Sequence, residues 1–432
     1  MSDKTHSLAM TPVFPGSTDA AGQRATLGVL GGGQLGRMFV HAAQRLGYFT
    51  AVLEPDPQSP AGLVSHHHIQ TDYDDPAGLV QLADLCQAIT TEFENVPAHA
   101  LQTLALTRPV APGAAVVGIA QDRIEEKAHF TAGAALSGVN CAPYTVIETP
   151  AQLQAVQNDR PELLPGILKT ARLGYDGKGQ VRVKTAAELA AAWAELGSVA
   201  CVLEKMLPLT AECSVLVARG WDGQVVSFAA QRNVHVEGIL AVTHAYEGNM
   251  PPALATRARN AAVSLAQHLG YVGVLCVEFF VVEGDNEHGD LMVNEMAPRP
   301  HNSGHYTLDA CDVSQFDLQV HTLAGLPLPT PRQHSPAIML NLLGEVWFDA
   351  SGQLREPDWH RVLSLPGTHL HLYGKAEARP GRKMGHLTIT GPDVASVKTV
   401  ARRAAELLGL PVLDDINDAP HPLAPSPIER GN

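Results

Sequence analysis

Apolar and polar positions follow two different periods along the first hundred residues. Short apolar runs such as "LGVL" and "FTAVLE" are typical of buried strands, and "AITTEFE" continues the series. Between them, apolar side chains recur at the spacing of one helix face, as at Leu35, Phe39, Ala42 and Leu46. Helices are also predicted over "PAGLVQLADLC" and after Pro97. This alternation predicts a doubly wound parallel sheet, which binds ligands beyond the carboxyl ends of its strands.

The pattern changes after about residue 125. "GILKTARLGYDGKGQVRVK" predicts two strands around a turn, and "CSVLVARGWDGQVVSFAAQRNVHVEGILAVTHAY" predicts antiparallel strands. A helix near 255–269 precedes the strands "VLCVEFFVV" and "DLMVNEMA", and the proline-rich "PLPTPRQHSP" is typical of a linker. The strands "AIMLNLL", "THLHLYG" and "GHLTIT" and a helix near 393–408 follow. We therefore expect a loose extension, three domains and a polar tail, over 1–24, 25–124, 125–328, 329–412 and 413–432.

Composition narrows the class of protein. The chain of 432 residues is 45% hydrophobic and 17% charged, which is ordinary for a globular enzyme. Its net charge of −14, with no block of basic residues, argues against a nucleic-acid partner. The six cysteines are far apart and form no C-x-x-C pair, which favours free thiols in a reducing compartment. With no signal-type segment and no membrane-spanning run, we expect a cytoplasmic protein that binds no membrane.

A glycine-rich loop follows the first predicted strand. Gly31, Gly33 and Gly36 fit the G-x-G-x-x-G pattern, and Glu54 closes the next apolar run, 54 − 31 = 23 residues further on. This is close to the spacing of a dinucleotide-binding fingerprint, in which backbone N–H groups at a helix N-terminus bind phosphate. A turn that merely lets the strand and helix pack closely would show the same glycines. The loop by itself does not distinguish NAD, another nucleotide and a structural turn.

Two lysines suggest a second phosphate site. Lys169 stands alone in the apolar strand "GILKTA", where a buried ammonium is costly unless it faces an anion. Lys178 lies in "LGYDGKGQ", residues 173–180, which could close over a triphosphate as a glycine-rich flap. An ordinary hairpin turn is the alternative, because Asp-Gly is a strong turn signal. Together the two lysines favour a phosphate clamp.

Glu278 and Glu295 are isolated carboxylates within two apolar strands, and Asn294 adjoins the second. Two carboxylates about 4 Å apart repel by roughly 4 kcal/mol at an effective dielectric constant of 20. A divalent cation removes this repulsion, and Mg²⁺ prefers a few carboxylates together with phosphate oxygens. The alternative is that each carboxylate pairs with an arginine in the core. We favour a magnesium site.

Three further segments carry concentrated polar chemistry. "APRPHNSGHYT" supplies hydrogen-bond donors for a small oxyanion, unless it is a solvated loop. "KAEARPGRKMGH", residues 375–386, is the one compact basic segment and suits a monophosphate, with a solvated charge run as the alternative. The run His66–His68 could be a metal site, but only His66 and His68 would share a face of a strand.

With these segments in this order, the chain resembles the ATP-grasp superfamily and, within it, the 5-(carboxyamino)imidazole ribonucleotide synthetases of purine biosynthesis. The resemblance covers about residues 25–410 and rests on "GGGQLGRM", "TEFENVP", "QDR", "GYDGKGQ", "AECSVLVAR", "NVHVEGIL", "NEMAPRPHNSGH" and "RPGRKMGHL". "GYDGKG" alone indicates only the superfamily, whereas "PHNSGH" with "RPGRKMGH" is specific. It implies an ATP-grasp fold of mixed α/β and α+β class, with an N-terminal doubly wound parallel-sheet domain and a small C-terminal β-rich domain.

The resemblance also implies the reaction and the binding residues. ATP, bicarbonate and 5-aminoimidazole ribonucleotide would give ADP, phosphate and the N-carboxylated product through carboxyphosphate. Mg²⁺, with Mn²⁺ as an alternative, would be held by Glu278 and Glu295. Bicarbonate chemistry would fall to Arg299, His301, Asn302, Ser303 and the flap residue Lys178. The ribonucleotide would contact Gln34, Leu35, Glu92, Asn95, Lys375 and Arg382. ATP would contact Arg123, Lys169, Gly174, Tyr175, Asp176, Gly177, Lys178, Gly179, Gln180, Glu204, Lys205, Met206, Leu207, Glu212, His235, Asn294 and Glu295.

On this resemblance the glycine-rich loop serves the ribonucleotide and not NAD, and we expect a homodimer. Formate-dependent glycinamide ribonucleotide transformylase has the same architecture and remains an alternative. Biotin carboxylase shares the bicarbonate chemistry, but no biotin-carrier lysine motif is present. An NAD-dependent oxidoreductase would leave Lys169, Glu278, Glu295 and the flap unexplained. A non-catalytic nucleotide-sensing module would not need paired carboxylates beside an oxyanion loop.

Overall fold

The computed structural model describes residues 10–174, 179–284 and 289–410, and its first sheet is the parallel one that the sequence predicts. The strand order is β3-β2-β1-β4, and each pairing is parallel. Helix α1 begins at Gln34, two residues before Gly36, because Gly33 adopts an extended conformation and precedes the helix as its N-cap. The elements of this part are β1 (Thr26–Leu30), α1 (Gln34–Leu46), β2 (Phe49–Leu53), a 3₁₀ turn (Gly62–Val64), β3 (His67–Ile69), α2 (Pro76–Leu85), β4 (Ala88–Thr91), α3 (Ala98–Ala105) and α4 (Ala114–Ala120).

A small antiparallel sheet follows a long helix. Its order is β6-β9-β7-β8, with one apolar face covered by α6 and α7 through buried residues such as Leu189 and Trp193. Strands β7 and β8 flank the flap segment, and Tyr175–Lys178 lie outside the described residues. The elements are α5 (Arg123–Ser137), β5 (Asn140–Cys141), β6 (Tyr144–Ile147), α6 (Pro150–Asp159), a 3₁₀ turn (Pro161–Leu163), β7 (Gly166–Thr170), β8 (Gln180–Val183), α7 (Ala186–Glu195) and β9 (Cys201–Lys205).

The third sheet has ten strands and runs through the middle and the C-terminal parts of the chain. Its path is β17-β18-β16-β13-β12-β10-β14-β15-β5, and β11 pairs with β10. Strand β16 pairs with β13, so the C-terminal strands extend the central sheet after the proline-rich segment. The elements are β10 (Leu209–Arg219), β11 (Val225–Ser227), β12 (Gln231–Val236), β13 (Ile239–Ala245), α8 (Pro252–His268), β14 (Gly273–Val282), β15 (Asp290–Ala297), a 3₁₀ turn (Asn302–Gly304), α9 (Thr307–Ala310), α10 (Gln315–Ala324), β16 (Ala337–Leu343), a 3₁₀ turn (Gly344–Trp347), α11 (Trp359–Leu363), β17 (Thr368–Leu372), β18 (Lys383–Thr390) and α12 (Val394–Leu408).

The segment before β1 contacts the body of the protein, unlike the loose extension expected over 1–24. The Val13 N–H donates to the Ala324 carbonyl at the end of α10, at 2.9 Å, and the Tyr48 hydroxyl donates to the Val13 carbonyl. Val13 packs against the apolar cluster on one face of the first sheet. These contacts hold the chain around Val13 against the first layer, whereas residues 14–24 are exposed and residues 1–9 lie outside the described part.

Two smaller expectations concern histidines and cysteines. His66 Nδ1 lies 3.2 Å from the Thr50 N–H, and His68 Nε2 lies 2.9 Å from the Glu54 carbonyl oxygen. Both rings are thus used in hydrogen bonds that hold β3 against β2. This structural role, and not a metal site, is what the contacts of His66 and His68 support. All six cysteines are free thiols, as predicted.

Within the described ranges, no helix has both the length and the apolar character needed to cross a membrane.

Candidate active site

One cleft of about 920 Å³ is lined by side chains from all three sheets. It collects predicted residues that are up to three hundred and fifty positions apart in the sequence. From the predicted sets it is lined by Gln34, Leu35, Glu92, Asn95, Arg123, Lys169, Gly174, Gln180, Glu212, His235, Glu278, Asn294, Glu295, Arg299, His301, Asn302, Lys375 and Arg382. The cleft therefore joins the segments that the sequence singles out separately.

The two isolated carboxylates lie side by side on neighbouring strands. Glu278 of β14 is directly opposite Glu295 of β15 in the antiparallel register, so both side chains point to the same face of the sheet. The Glu295 side chain is 41% exposed and forms an ion pair with Arg123 at 3.3 Å. Glu278 is buried and pairs with His301 instead of an arginine. Of the two carboxylates, only Glu295 has the arginine partner that was the alternative to a magnesium site.

His301 connects Glu278 to a buried group of hydroxyls. Its Nε2 lies 2.9 Å from Glu278 Oε1, and its Nδ1 lies 2.9 Å from Ser303 Oγ. Burial opposes ionisation of Glu278, but the His301 imidazolium outweighs it and lowers the pKa of the carboxyl to about 2. Burial likewise disfavours the charged ring, while its contact with Glu278 raises the pKa of His301. The two groups form a charged, hydrogen-bonded pair in the wall of the cleft.

The predicted oxyanion loop divides into residues that face the cleft and one that does not. Asn302 is buried and lines the cleft, and neither its amide oxygen nor its amide nitrogen has a hydrogen-bond partner in the structure. Arg299 lines the cleft and forms an ion pair with Glu94. Ser303 is fully buried, does not line the cleft, and hydrogen-bonds Ser214 Oγ at 2.8 Å. Its side chain is placed to orient His301 and not to contact an anion directly.

Buried cations surround Glu204 beneath the cleft. Lys169 Nζ and Lys127 Nζ each lie 3.2 Å from one oxygen of the Glu204 carboxylate. Burial opposes ionisation of Glu204, but the two ammonium groups outweigh it and lower its pKa to about 2. Burial lowers the pKa of Lys169, which lines the cleft. The buried lysine that the sequence predicts to face an anion therefore faces a protein carboxylate on one side and the cleft on the other.

The glycine-rich loop is occupied by two carboxylates of the protein. The Gly33 and Gly36 N–H groups each donate to one oxygen of Glu92, both at 2.7 Å, and the Gly32 N–H donates to Glu54 Oε2 at 2.8 Å. A Cβ at Gly33 would lie 2.4 Å from Glu92 Oε1, so a side chain at this position would have to displace the Glu92 carboxylate. Glu54 is thus used inside the fold and cannot serve as the ribose ligand of a dinucleotide site. Gln34 and Leu35, at the start of α1, remain at the cleft surface.

The two ends of the chain meet at this cleft. Gln34 and Asn95 come from the first sheet and its loops, whereas Lys375 and Arg382 come from the segment between β17 and β18. Lys375 Nζ donates to the Lys383 carbonyl at 2.7 Å, and Arg382 Nη1 donates to the Glu377 carbonyl at 2.8 Å. The basic segment therefore contains a loop that is held by its own hydrogen bonds and lines the cleft, and its role toward the ribonucleotide stays a prediction.

The remaining predicted ATP residues lie around the small sheet. His235 Nδ1 lies 2.7 Å from Glu212 Oε2, and that hydrogen bond outweighs burial and raises the pKa of His235. Gly179 has a positive φ of 69°, and its carbonyl accepts from the Thr170 N–H at 2.8 Å. Lys205, Met206 and Leu207 follow Glu204 at the end of β9 and do not line the cleft. The flap residues Tyr175, Asp176, Gly177 and Lys178 lie outside the described residues.

Three family models match successive parts of the chain. They describe a ribonucleotide synthetase preATP-grasp domain over residues 24–121, an ATP-grasp domain over 134–316, and a phosphoribosylaminoimidazole carboxylase C-terminal domain over 337–400. An N5-carboxyaminoimidazole ribonucleotide synthase of Brucella melitensis is 42% identical over 377 residues, which cover 85% of this chain and 97% of the relative. The chain belongs to the N5-carboxyaminoimidazole ribonucleotide synthase family.

Solved structures of this synthase family share the fold. The Staphylococcus aureus N5-carboxyaminoimidazole synthetase complexed with ADP has a TM-score of 0.78 and 34% identity, covering 91% of this chain and 99% of that chain. The Aspergillus clavatus synthase in complex with ADP and 5-aminoimidazole ribonucleotide has a TM-score of 0.77 and 31% identity, covering 90% and 99%. The resemblance and the ATP-grasp fold class predicted from the sequence are confirmed.

Sequence reasoning missed two residues that build the synthase cleft. Lys127 lies on α5 with its Nζ buried between Glu204 and the Asn294 carbonyl. Lys127 lies one helical turn before the buried Phe130, and this position could have indicated a buried ion pair, because a lysine on an apolar helix face needs a partner. Glu94 lies in the "EFEN" segment between the predicted site residues Glu92 and Asn95, and it forms an ion pair with Arg299. Both partners are remote in sequence, so spacing could not have identified the pairs.

Proposed function

We propose that the protein catalyses the ATP- and bicarbonate-dependent carboxylation of 5-aminoimidazole ribonucleotide in purine biosynthesis. An oxygen of bicarbonate attacks the γ-phosphorus of ATP, the bond to the β,γ-bridging oxygen breaks, and ADP leaves. The resulting carboxyphosphate breaks into carbon dioxide and phosphate. The exocyclic amine of the ribonucleotide then attacks carbon dioxide and loses a proton, which gives the N-carboxylated product. The enzyme is accordingly an ATP-dependent carbon–nitrogen ligase.

One observation carries this proposal. The cleft joins the carboxylate pair Glu278 and Glu295, the buried cation Lys169 and the basic segment around Arg382 in a single space. In the same wall, Asn302 has a buried amide with no hydrogen-bond partner, and such a group costs about 1–3 kcal/mol unless a ligand satisfies it. These groups support our proposal that triphosphate, small oxyanion and monophosphate subsites adjoin one another in this cleft. An oxidoreductase would not need this combination.

The carboxylate pair has the chemistry to hold Mg²⁺, with Mn²⁺ as an alternative. Glu278 uses Oε1 for His301, and Glu295 uses Oε2 for Arg123, so each carboxylate retains a second oxygen on the same face of the sheet. Hard oxygen donors that bind together with phosphate are the ligand set that Mg²⁺ favours. When bound there, the ion would neutralise charge on the transferred phosphoryl group.

The side chains of the protein would mainly position reactants and balance charge. Arg299 and the Asn302 amide would present donors for bicarbonate, and His301 contacts Glu278 of the carboxylate pair in the same cleft. Lys169 and Arg123 face the triphosphate from the side of the small sheet. Four further residues line the same cleft, and we expect them to hold the ribonucleotide: Gln34, Asn95, Lys375 and Arg382. Lys178 lies outside the described residues, and its role stays a prediction from the family resemblance.

Three proposals about the molecule as a whole rest on the family resemblance. We propose that it acts in the cytoplasm as a homodimer. The domain bounds 25–124, 125–328 and 329–412 remain proposals, and the pairing of β13 with β16 means that the last two would share one sheet.

The proposed reaction is tested by measuring ADP release while each substrate is omitted in turn. ADP should appear at full rate only with Mg²⁺-ATP, bicarbonate and 5-aminoimidazole ribonucleotide together. Formate with glycinamide ribonucleotide is the matched control, because it tests the transformylase alternative on the same ATP site. Turnover with formate and none with bicarbonate would overturn the proposal.

A further inference from the structure

A group of imidazoles lies behind the wall of the cleft and takes no part in the proposed reaction. His371 of β17 and His386 of β18 are directly opposite each other in the antiparallel register, and their rings stack with centroids 4.5 Å apart. Asp309 of α9 faces them, with its Oδ2 2.9 Å from His371 Nε2. We call Asp309, His371 and His386 the histidine cluster. It joins α9 to β17 and β18, the two strands on either side of the loop that begins the basic segment.

One nitrogen in the histidine cluster lacks a partner. His386 is fully buried, and its Nε2 has no hydrogen-bond partner in the structure. Its Nδ1 lies 3.0 Å from the Tyr373 hydroxyl. A buried polar atom without a partner is costly, so something is needed to satisfy the Nε2. The hydrogen bond between Tyr373 and Nδ1 fixes the orientation of the His386 ring. Histidines that bind metals are commonly oriented in this way, by a hydrogen bond to their other ring nitrogen.

We propose that the histidine cluster is a binding site for a zinc-type divalent cation. One ligand atom from each of Asp309, His371 and His386 lies within 4.8 Å of the others. Ligands at about 2.1 Å in a tetrahedral zinc site are roughly 3.4 Å apart, so a small rotation of the rings closes the site. Two imidazoles and a carboxylate favour zinc over magnesium, which prefers oxygen ligands. For His371 Nε2 to ligate the ion, the hydrogen between it and Asp309 Oδ2 would have to leave this contact, to the ring's own Nδ1 or to solvent.

We assign the fourth position to water, as in zinc sites with three protein ligands. His369 also lies near Asp309, with its Nδ1 3.7 Å from Asp309 Oδ1. Its Nε2 lies 3.0 Å from Thr390 Oγ1, however, and it is not among the three residues whose ligand atoms converge. The site is distinct from the carboxylate pair: His305 lines the cleft, and its ring stands between the cleft and His386, with centroids 4.7 Å apart.

The test is zinc binding by the untagged full chain after removal of metals, without Mg²⁺ or ATP. Zinc affinity is measured by competition with a chromogenic chelator, and Co²⁺ replaces zinc to report tetrahedral coordination from its visible absorption. The variants are His371→Ala, His386→Ala and Tyr373→Phe. The matched controls are His67→Ala, an exposed histidine on β3, and Glu295→Gln, which removes one carboxylate of the cleft.

The wild type should bind one equivalent, and His371→Ala and His386→Ala should each weaken binding about a hundredfold or more. Tyr373→Phe should weaken it by roughly 10- to 100-fold, as outer-shell substitutions do. Both controls should bind like the wild type. Because the His371 side chain is 31% exposed, His371→Ala keeps the test valid if His386→Ala does not fold. No stoichiometric binding by the wild type, or binding that is lost in Glu295→Gln and kept in His371→Ala, would overturn the proposal.

Discussion

The buried ion pair between Lys127 and Glu204 offers a quantitative test of how the cleft is held together. Lys127 Nζ lies 3.2 Å from Glu204 Oε2, and the two side chains are 1% and 4% exposed. The same ammonium group donates to the Asn294 carbonyl at 2.9 Å. It thereby connects α5, β9 and β15. Substitution of Lys127 by Met keeps the length and apolar stem of the side chain and removes only the charge and its hydrogen bonds.

The expected cost follows from the geometry. Two unit charges 3.2 Å apart interact by about 5 kcal/mol at an effective dielectric constant of 20. Removing one partner of a buried pair typically costs about 3–5 kcal/mol, because the remaining charge stays buried. In the variant, Glu204 would still pair with Lys169, whose Nζ lies 3.2 Å from its other oxygen. The expected loss of stability is therefore at the lower end of that range. We expect Lys127→Met to lower the free energy of unfolding by about 3 kcal/mol.

The assay is urea unfolding of the full chain, followed by fluorescence and by circular dichroism on the same transition. Lys205→Met is the matched control, because Lys205 is an exposed lysine on the same strand as Glu204, and it should change stability by less than about 0.5 kcal/mol. The double variant Lys127→Met with Glu204→Gln should be more stable than the sum of the two single losses predicts. A loss below about 1 kcal/mol in Lys127→Met, or strict additivity, would refute the reasoning.

Three further predictions concern acid stability, the ribonucleotide and the metal. The pKa of Glu204 is lowered from 4.5 to about 2 in the folded state, so its contribution to stability is complete above pH 4.5 and is lost as the pH falls toward 2. In acid unfolding curves, the Glu204→Gln variant should therefore lose less stability than the wild type over that pH range. Arg382→Ala should raise the KM for 5-aminoimidazole ribonucleotide by about ten- to a hundredfold, since a charge-assisted contact to phosphate is worth roughly 1.5–3 kcal/mol, and should leave the KM for ATP nearly unchanged; equal losses for both substrates would assign the segment to the fold. Glu278→Gln or Glu295→Gln should abolish Mg²⁺-dependent turnover with the circular dichroism spectrum intact, and near-normal activity in the folded double variant would contradict the metal assignment.

Features with a local cause could be predicted from the sequence. The apolar periods correctly indicated a parallel first sheet and an antiparallel middle region, because burial patterns repeat within each element. The isolated carboxylates Glu278 and Glu295 were predicted to lie together, and adjacent strands in register place them so. Charged residues inside apolar strands are informative for the same reason, since each one requires a partner.

Side-chain pairings between remote segments could not be predicted. The spacing of Glu54 from the glycine-rich loop is that of a ribose ligand, but in the structure Glu54 accepts from the Gly32 N–H. Loop geometry, and not separation in sequence, decides what a carboxylate contacts. Ser303 belongs to a donor-rich segment, yet the 3₁₀ turn over Asn302–Gly304 directs Asn302 to the cleft and Ser303 into the core. Such choices depend on tertiary packing, which a sequence pattern does not encode locally.

The most direct test of the central claim follows oxygen from bicarbonate. The enzyme is incubated with ATP, 5-aminoimidazole ribonucleotide and ¹⁸O-labelled bicarbonate, and the released phosphate is analysed by mass spectrometry before the label exchanges with water. If bicarbonate attacks the γ-phosphorus, the oxygen that forms the new bond stays on phosphorus when carboxyphosphate breaks down. The account predicts one bicarbonate-derived oxygen in each phosphate released. Phosphate that forms with the carboxylated product but carries no such label would contradict it.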